Sequence, residues 1–134
     1  MDPAPAGKLV LIVEDEFDNR EIMRAVVEDL LGYKALAAGD GVAALRAVEE
    51  QKPDLILMDL MMPVLDGFDT IRILKARAET RNIPVLAVTA LSRPVDRDRA
   101  LAEGAVDYLC KPFDIEALAK AIEQHVQGEV AESA

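Results

Sequence analysis

Tryptophan is absent from this 134-residue chain, and cysteine and histidine occur once each, at Cys110 and His125. A single cysteine excludes an internal disulfide, which fits a reducing compartment. With only three Phe and two Tyr, the core has to come from Leu, Val, Ile and Ala. Long apolar runs are missing too: none approaches the roughly 20 residues that cross a bilayer as a helix. Residues 1–7, "MDPAPAG", have neither a basic n-region nor an apolar h-region, so no signal peptide is expected and the expected location is cytoplasmic. Positive charge is in short supply. Fifteen Lys and Arg stand against 25 Asp and Glu, a net charge of −10. That balance argues against a nucleic-acid-binding surface and against attachment to anionic membranes.

What is present is a chain with 51% apolar residues, enough for one folded domain. Short apolar runs alternate with amphipathic stretches. "KLVLIV" (8–13), "DLILMD" (54–59) and "IPVLAVTA" (83–90) read as strands buried on both faces. "YKALAA" (33–38) reads as a weaker strand and "AVDYLC" (105–110) as a fifth strand, with Cys110 expected to be buried in it. Helices are expected over 18–32, with Asp18 as N-cap and Ile22, Val26 or Val27, and Leu30 on one face. Others are expected from Asp40 or Gly41 to near Pro53, from Gly67 through "FDTIRILKARAE", over 93–104, and over 114–127 with Asp114 as N-cap. The last places His125 on the surface. Gly67 is expected to supply a backbone shape in the turn after the third strand. This is (βα) five times, an α/β chain with a five-stranded parallel sheet in a doubly wound sandwich. Residues 1–7 are expected to form a flexible N-terminus, 8–127 the domain, and 128–134 a frayed tail.

Asp59 poses the chemical question, because it ends an apolar strand and is followed at once by more apolar residues. Such a charge is costly unless something pairs with it. In open α/β sheets, sites form beyond the carboxyl ends of the strands. Glu14 and Asp15 stand at the first strand's end, Asp59 at the third's, Thr89 at the fourth's and Lys111 after the fifth. Taken singly, each is an ordinary loop or cap residue. Brought together, three carboxylates repel and call for a divalent cation. Oxygen ligands without His or Cys favour Mg²⁺. An ionised Asp59 beside Mg²⁺ and Lys111 is suited to act as the nucleophile in phosphoryl transfer, with Thr89 donating its hydroxyl to the transferred group.

"VEDE", "DLILMDLMMPVLDG", "VTA" and "DYLCKPF", in this order, resemble the receiver domain of two-component response regulators over residues 8 to 127. The resemblance implies a flavodoxin-like fold with strand order 2-1-3-4-5. It implies that Asp59 is the phosphoacceptor, that Glu14, Asp15, Asp59 and the Met61 backbone carbonyl hold Mg²⁺, with Asp15 the more direct of the acidic pair, and that Thr89 and Lys111 bind the phosphoryl group. Tyr108 fits the switch aromatic that turns inward when Thr89 moves, and Lys111–Pro112 fits the family's cis peptide. Met61 and Leu91 occupy the positions that flank the path of the attacking water. Both are apolar here, so a long-lived phosphoryl group is expected.

The expected function is a phosphorylation-controlled signalling receiver. Its donor would be a sensor histidine kinase or a histidine phosphotransfer protein, docking at Phe17, Asn19 and Ile22 or Met23. Its output would be a changed surface at helix four, strand five and helix five, read by a downstream protein target. The segment "RPVDRDR" opening helix four is otherwise a solvated face. A single-domain regulator is expected, as a monomer or a phosphorylation-dependent dimer; a receiver excised from a hybrid histidine kinase or a longer regulator is the alternative. Two rivals differ in class. A Mg²⁺-dependent aspartyl-phosphate phosphohydrolase of the haloacid-dehalogenase kind would usually place a second Asp two residues after the nucleophile, where this chain has Met61. A phosphorylation-independent interaction module would not need the acid, Thr and Lys set. No enzymatic activity is expected beyond self-directed phosphotransfer and autodephosphorylation.

Overall fold

The computed structural model describes residues 7–133, with side chains described through Val126. Most of the N-terminal segment 1–7 therefore lies outside the described residues. Five strands alternate with five helices: β1 Leu9–Val13, α1 Phe17–Ala25, β2 Lys34–Ala38, α2 Gly41–Glu50, β3 Leu55–Met58, α3 Gly67–Ala76, β4 Val85–Thr89, α4 Pro94–Glu103, β5 Asp107–Cys110 and α5 Ile115–Ser133. The strands pair in parallel in the order β2-β1-β3-β4-β5.

Alternation along the central strands sorts two cores. Leu11, Val13, Ile56, Met58, Val85 and Ala87 face one way, against α2, α3 and α4 through Ala44, Val48, Ile71, Leu74 and Ala100. Val10, Ile12, Leu55, Leu57, Leu86 and Val88 face the other, against Met23, Val26, Val27, Leu118 and Ile122. Side chains on successive strand residues point to opposite faces. A run of Val, Ile and Leu therefore fills both layers, which is why β1, β3 and β4 show no polar alternation. The edge strands β2 and β5 are less buried.

Several local expectations change. The first helix starts one residue earlier, at Phe17, and its cap is Glu16, whose Oε1 accepts the Asn19 N–H at 2.8 Å; Asp18 sits in the first turn. The helix then passes into a π-helical stretch, Val26–Leu30. The i→i+5 bonds there add a residue to the turn, so the buried face is Met23, Val26 and Val27 while Ile22 and Leu30 are exposed. Cys110 is exposed at the end of the edge strand β5. His125 is half-buried, with Nε2 3.1 Å from Asp107 Oδ2. Asp96, inside the segment read as a solvated face, is buried under a two-pronged contact from Arg93. Asp114 caps α5 as expected, accepting the Ala117 N–H at 3.1 Å. For the segment 128–134, expected as a tail, the structure describes only backbone, as part of α5 through Ser133; its side chains and Ala134 lie outside the described residues.

At Gly67 the structure shows a different need from the expected turn shape, namely close approach. A Cβ there would lie 2.3 Å from the Asp59 carbonyl oxygen and 2.6 Å from Leu60 Cα, both backbone atoms that cannot swing aside. Gly67→Ala is expected to destabilise the fold by about 3 kcal/mol, read as a lowered urea midpoint at unchanged m-value. A loss below about 0.5 kcal/mol, the range of ordinary surface substitutions, would contradict this contact.

Candidate functional site

Register builds the site. Val13 pairs with Met58 across β1 and β3, so the next residues, Glu14 and Asp59, emerge side by side. The Asp59 N–H donates to the Val13 carbonyl at 3.0 Å and fixes that alignment. On the far side Thr89 pairs with Cys110 across β4 and β5, and the Lys111 N–H donates to the Thr89 carbonyl at 2.8 Å. Lys111 therefore leaves the sheet beside Thr89, and its side chain returns across β4 to the acids.

Lys111 Nζ lies 2.7 Å from Glu14 Oε1 and 3.1 Å from Asp59 Oδ2. Glu14 is fully buried and Asp59 nearly so, whereas Asp15 is exposed. One carboxylate oxygen from each of the three acids lies within 4.8 Å of the others. The remaining oxygens of the buried pair are held by backbone: Glu14 Oε2 accepts the Glu16 N–H at 3.1 Å, and Asp59 Oδ1 accepts the Met61 N–H at 3.1 Å. Lys111–Pro112 is cis.

The electrostatics follow from this crowding. Burial pushes the Glu14 carboxyl above its ordinary 4.5; the Lys111 hydrogen bond opposes the shift and the Asp59 charge adds to it. For Lys111, burial favours the neutral amine, but the bonds and charges of Glu14 and Asp59 outweigh it and hold the ammonium above its ordinary value. A carboxyl raised in the fold contributes stability below 4.5 that is lost as pH climbs through its folded value. The raised ammonium contributes stability throughout neutral pH, lost only in strong alkali. Three acidic side chains thus gather around one basic side chain, an excess of acidic groups. An all-oxygen donor set with that excess, and with Asp15 open to solvent, fits a hard divalent cation such as Mg²⁺.

Thr89 is buried, and its Oγ1 accepts the Leu91 N–H at 3.3 Å, so the hydroxyl proton is not spent on that bond. Tyr108 is half-buried at β5 and its hydroxyl donates to the Leu91 carbonyl. Burial, then the neighbouring Cys110 and Asp96, keep the phenol above its ordinary value. Leu91 thus links Thr89 to Tyr108 through its own backbone, a connection that no side-chain pattern in the sequence announces. Arg20 is a second omission. Its Nη1 donates to the Glu14 carbonyl at 3.0 Å and its guanidinium lies 5.5 Å from the Phe17 ring centroid, steadying the turn that carries Glu14 and Asp15. Of the residues expected to dock a donor, Phe17 (62% exposed) and Ile22 (42%) are on the surface, but Met23 is buried at 1% and packs in the core.

A family model described as response regulator receiver domain matches residues 10–123. The chain belongs to the response regulator receiver domain family. The receiver is 42% identical over 107 residues to the phosphate regulon transcriptional regulatory protein PhoB of Klebsiella pneumoniae, covering 80% of this chain and 46% of PhoB. It thus spans about half the length of that relative. It is 35% identical over 119 residues to the polar-differentiation response regulator DivK of Brucella ovis, covering 89% of this chain and 96% of DivK. Among solved structures, the receiver domain of the sensor histidine kinase PA1611 from Pseudomonas aeruginosa PAO1, with magnesium ion coordinated in its active site cleft, superposes with a TM-score of 0.82 at 37% identity. That match covers 90% of this chain and 98% of the other. The chemotaxis protein CheY4 of Vibrio cholerae superposes with a TM-score of 0.82 at 30% identity, covering 88% and 98%. This is a receiver of two-component signalling, with the flavodoxin-like order expected for it. None of its described helices is long and apolar enough to cross a membrane.

Proposed function

We propose that this receiver accepts a phosphoryl group on Asp59 from a phosphohistidine of a sensor kinase or phosphotransfer protein. The observation that carries the reading is the single Lys111 ammonium bridging the buried Glu14 and Asp59 carboxylates while Asp15 stays open. Glu14, Asp15, Asp59 and the Met61 carbonyl are the groups that would hold Mg²⁺, which would supply charge neutralisation for the transferred phosphoryl oxygens. Lys111 holds the Asp59 carboxyl oxygen Oδ2 at 3.1 Å and so orients the nucleophile. An Asp59 oxygen attacks phosphorus, the P–N bond to the donor imidazole breaks, and the nitrogen keeps that electron pair. Lys111 then pairs with the new phosphoryl oxygens. Thr89 donates its hydroxyl to one of them, giving up the Leu91 N–H that it now holds. Releasing Leu91 alters the carbonyl that holds the Tyr108 hydroxyl, so the switch would pass from Thr89 to Tyr108 through Leu91. Phosphorylation would shift a pre-existing equilibrium of the α4–β5–α5 surface towards the state read by a downstream protein.

Phe17, Asn19 and Ile22 would dock the donor. Likeness to DivK along nearly its whole length supports a single-domain regulator, and likeness to the PA1611 receiver supports a hybrid-kinase origin. The test is phosphorylation of the chain by acetyl phosphate with Mg²⁺, followed by phosphate-affinity electrophoresis. A shifted band that disappears with EDTA and after mild alkali supports the reading; none at saturating donor ends it.

Met61 is 54% exposed and Leu91 half-buried at the two positions beside the water path. Their apolar side chains would slow hydrolysis. The acyl phosphate is expected to last minutes or more, and polar residues at both positions are expected to shorten it about tenfold. A lifetime of seconds, unchanged by those substitutions, would contradict this.

A further inference from the structure

A groove of about 450 Å³ runs between the loop that follows β3 and the start of α4. Leu60, Met61, Met62, Pro63, Phe68 and Leu91 line it, with Asp66 and Arg99 at its edges. Its size is that of a site for a few side chains rather than a packing defect. Two adjacent methionines give it a soft, adaptable wall. The rest of the loop is held in an uncommon shape. The Leu65 N–H donates to the Pro63 carbonyl at 2.8 Å across Val64, whose φ is +70° and whose side chain is 83% exposed. A β-branched residue in that region is strained, and such strain clusters at binding sites.

Arg99 is the cation of the groove. Its guanidinium carbon sits 4.0 Å from the centroid of the Phe68 ring, which holds it over the groove by cation–π attraction. Among the described residues it makes no ion pair; the nearby Asp96 carboxylate, which it influences, is gripped by Arg93. The acid at the other edge, Asp66, caps α3, its Oδ1 accepting the Asp69 N–H at 2.8 Å. At physiological salt, charges beyond about 8 Å are screened, so a ligand in the groove meets Arg99 rather than the net charge.

From this we infer that the groove docks a peptide segment of a partner protein that presents a Leu, Met or Phe anchor with an Asp or Glu one helical turn away. The anchor fills the space between Met61, Met62 and Leu91, and the carboxylate pairs with Arg99. An apolar anchor beside an Arg contact is how peptide grooves concentrate binding energy. The groove lies where α4 meets α3, with Arg99 over Phe68, and it shares Leu91 with the path from Thr89 to Tyr108 and Met61 with the Asp59 site.

The test pans a phage-displayed library of random 12-residue peptides against the intact chain. The selected sequences are expected to carry Asp or Glu three or four residues from Leu, Met or Phe, against the repulsion of a −10 protein. Synthetic copies are expected to shift the Met61 and Met62 methyl resonances and leave the core residue Met23 unmoved. Arg99→Glu is expected to weaken binding at least tenfold and Arg99→Gln about fivefold, with Arg99→Lys within threefold of the wild type. All three are expected to keep the native amide spectrum. The inference is overturned by selected peptides without an acidic preference, by shifts confined to another face, by equal affinity for the Glu variant, or by recovery of no binder. It is also overturned if the same methyl resonances shift on concentrating the chain alone as a dimer forms, since a second copy is then the occupant.

Discussion

Asp59→Asn is expected to abolish phosphorylation by acetyl phosphate, a fall of more than 100-fold to background, while leaving the chain folded. No neighbouring carboxylate is equivalent. Glu14 is fully buried behind the Lys111 ammonium, out of reach of a phosphoryl donor in solution. Asp15 is exposed and lacks the Lys111 contact that Asp59 has. The amide keeps the shape of the carboxylate, and Lys111 retains Glu14 at 2.7 Å. The repulsion between positions 14 and 59, one of the causes that raise the Glu14 carboxyl, is removed. Stability should therefore stay within about 1 kcal/mol of the wild type, or rise. Thermal melting without metal checks the fold, and electrophoretic shift checks the chemistry. Phosphorylation that persists in the Asp59→Asn variant would mean that the acceptor lies elsewhere.

Lys111→Met is the second large effect. The substitution keeps an unbranched side chain but leaves two buried carboxylates without a cation. Breaking a buried pair in this way costs about 3 kcal/mol or more. The same change removes a group that would stabilise transferred charge, for which about a 100- to 1,000-fold loss of phosphorylation rate is expected. The pH dependence separates this account from simple loss of packing. Lys111 holds the Glu14 carboxyl down against burial, so without it that carboxyl rises further. A raised carboxyl gives stability below 4.5 that is lost as pH climbs through the folded value. The Lys111→Met variant's deficit in melting temperature, measured in EDTA, should therefore be larger at pH 8 than at pH 5. An equal deficit at both values would point to packing alone.

The parts of the fold legible in the sequence are those where one physical demand dominates. β1, β3 and β4 are covered on both faces, and their unbroken apolar runs report that directly. Strand ends at Glu14, Asp59 and Thr89 are visible because polarity returns abruptly there. Strand order is not visible, because pairing partners leave no periodic mark; it rests on the family resemblance. The exposure of Cys110 escapes the sequence because an edge strand and a central one share local propensities, while only the central one has neighbours on both sides. The π-helical stretch escapes it for a similar reason: Val26 and Val27 look apolar in either helix type, and the added residue that turns Leu30 to solvent is a tertiary outcome.

At the site, residue types are legible and distances are not. Three acids and one Lys at strand tips suggest a cation site, yet nothing in the spacing says that Lys111 reaches both Glu14 and Asp59. Gly67 is conspicuous for its position after the turn, but its reason, a Cβ 2.3 Å from the Asp59 carbonyl oxygen, belongs to the folded loop alone. Arg20 and Leu91 act through backbone atoms, which sequence patterns do not display.

Borohydride reduction of the chain after incubation with acetyl phosphate and Mg²⁺, read by peptide mass spectrometry, reports directly which side chain carries an acyl phosphate. Homoserine is expected at position 59 alone, lost when EDTA is present. Homoserine at position 15, or none in a folded and metal-replete sample, would contradict it.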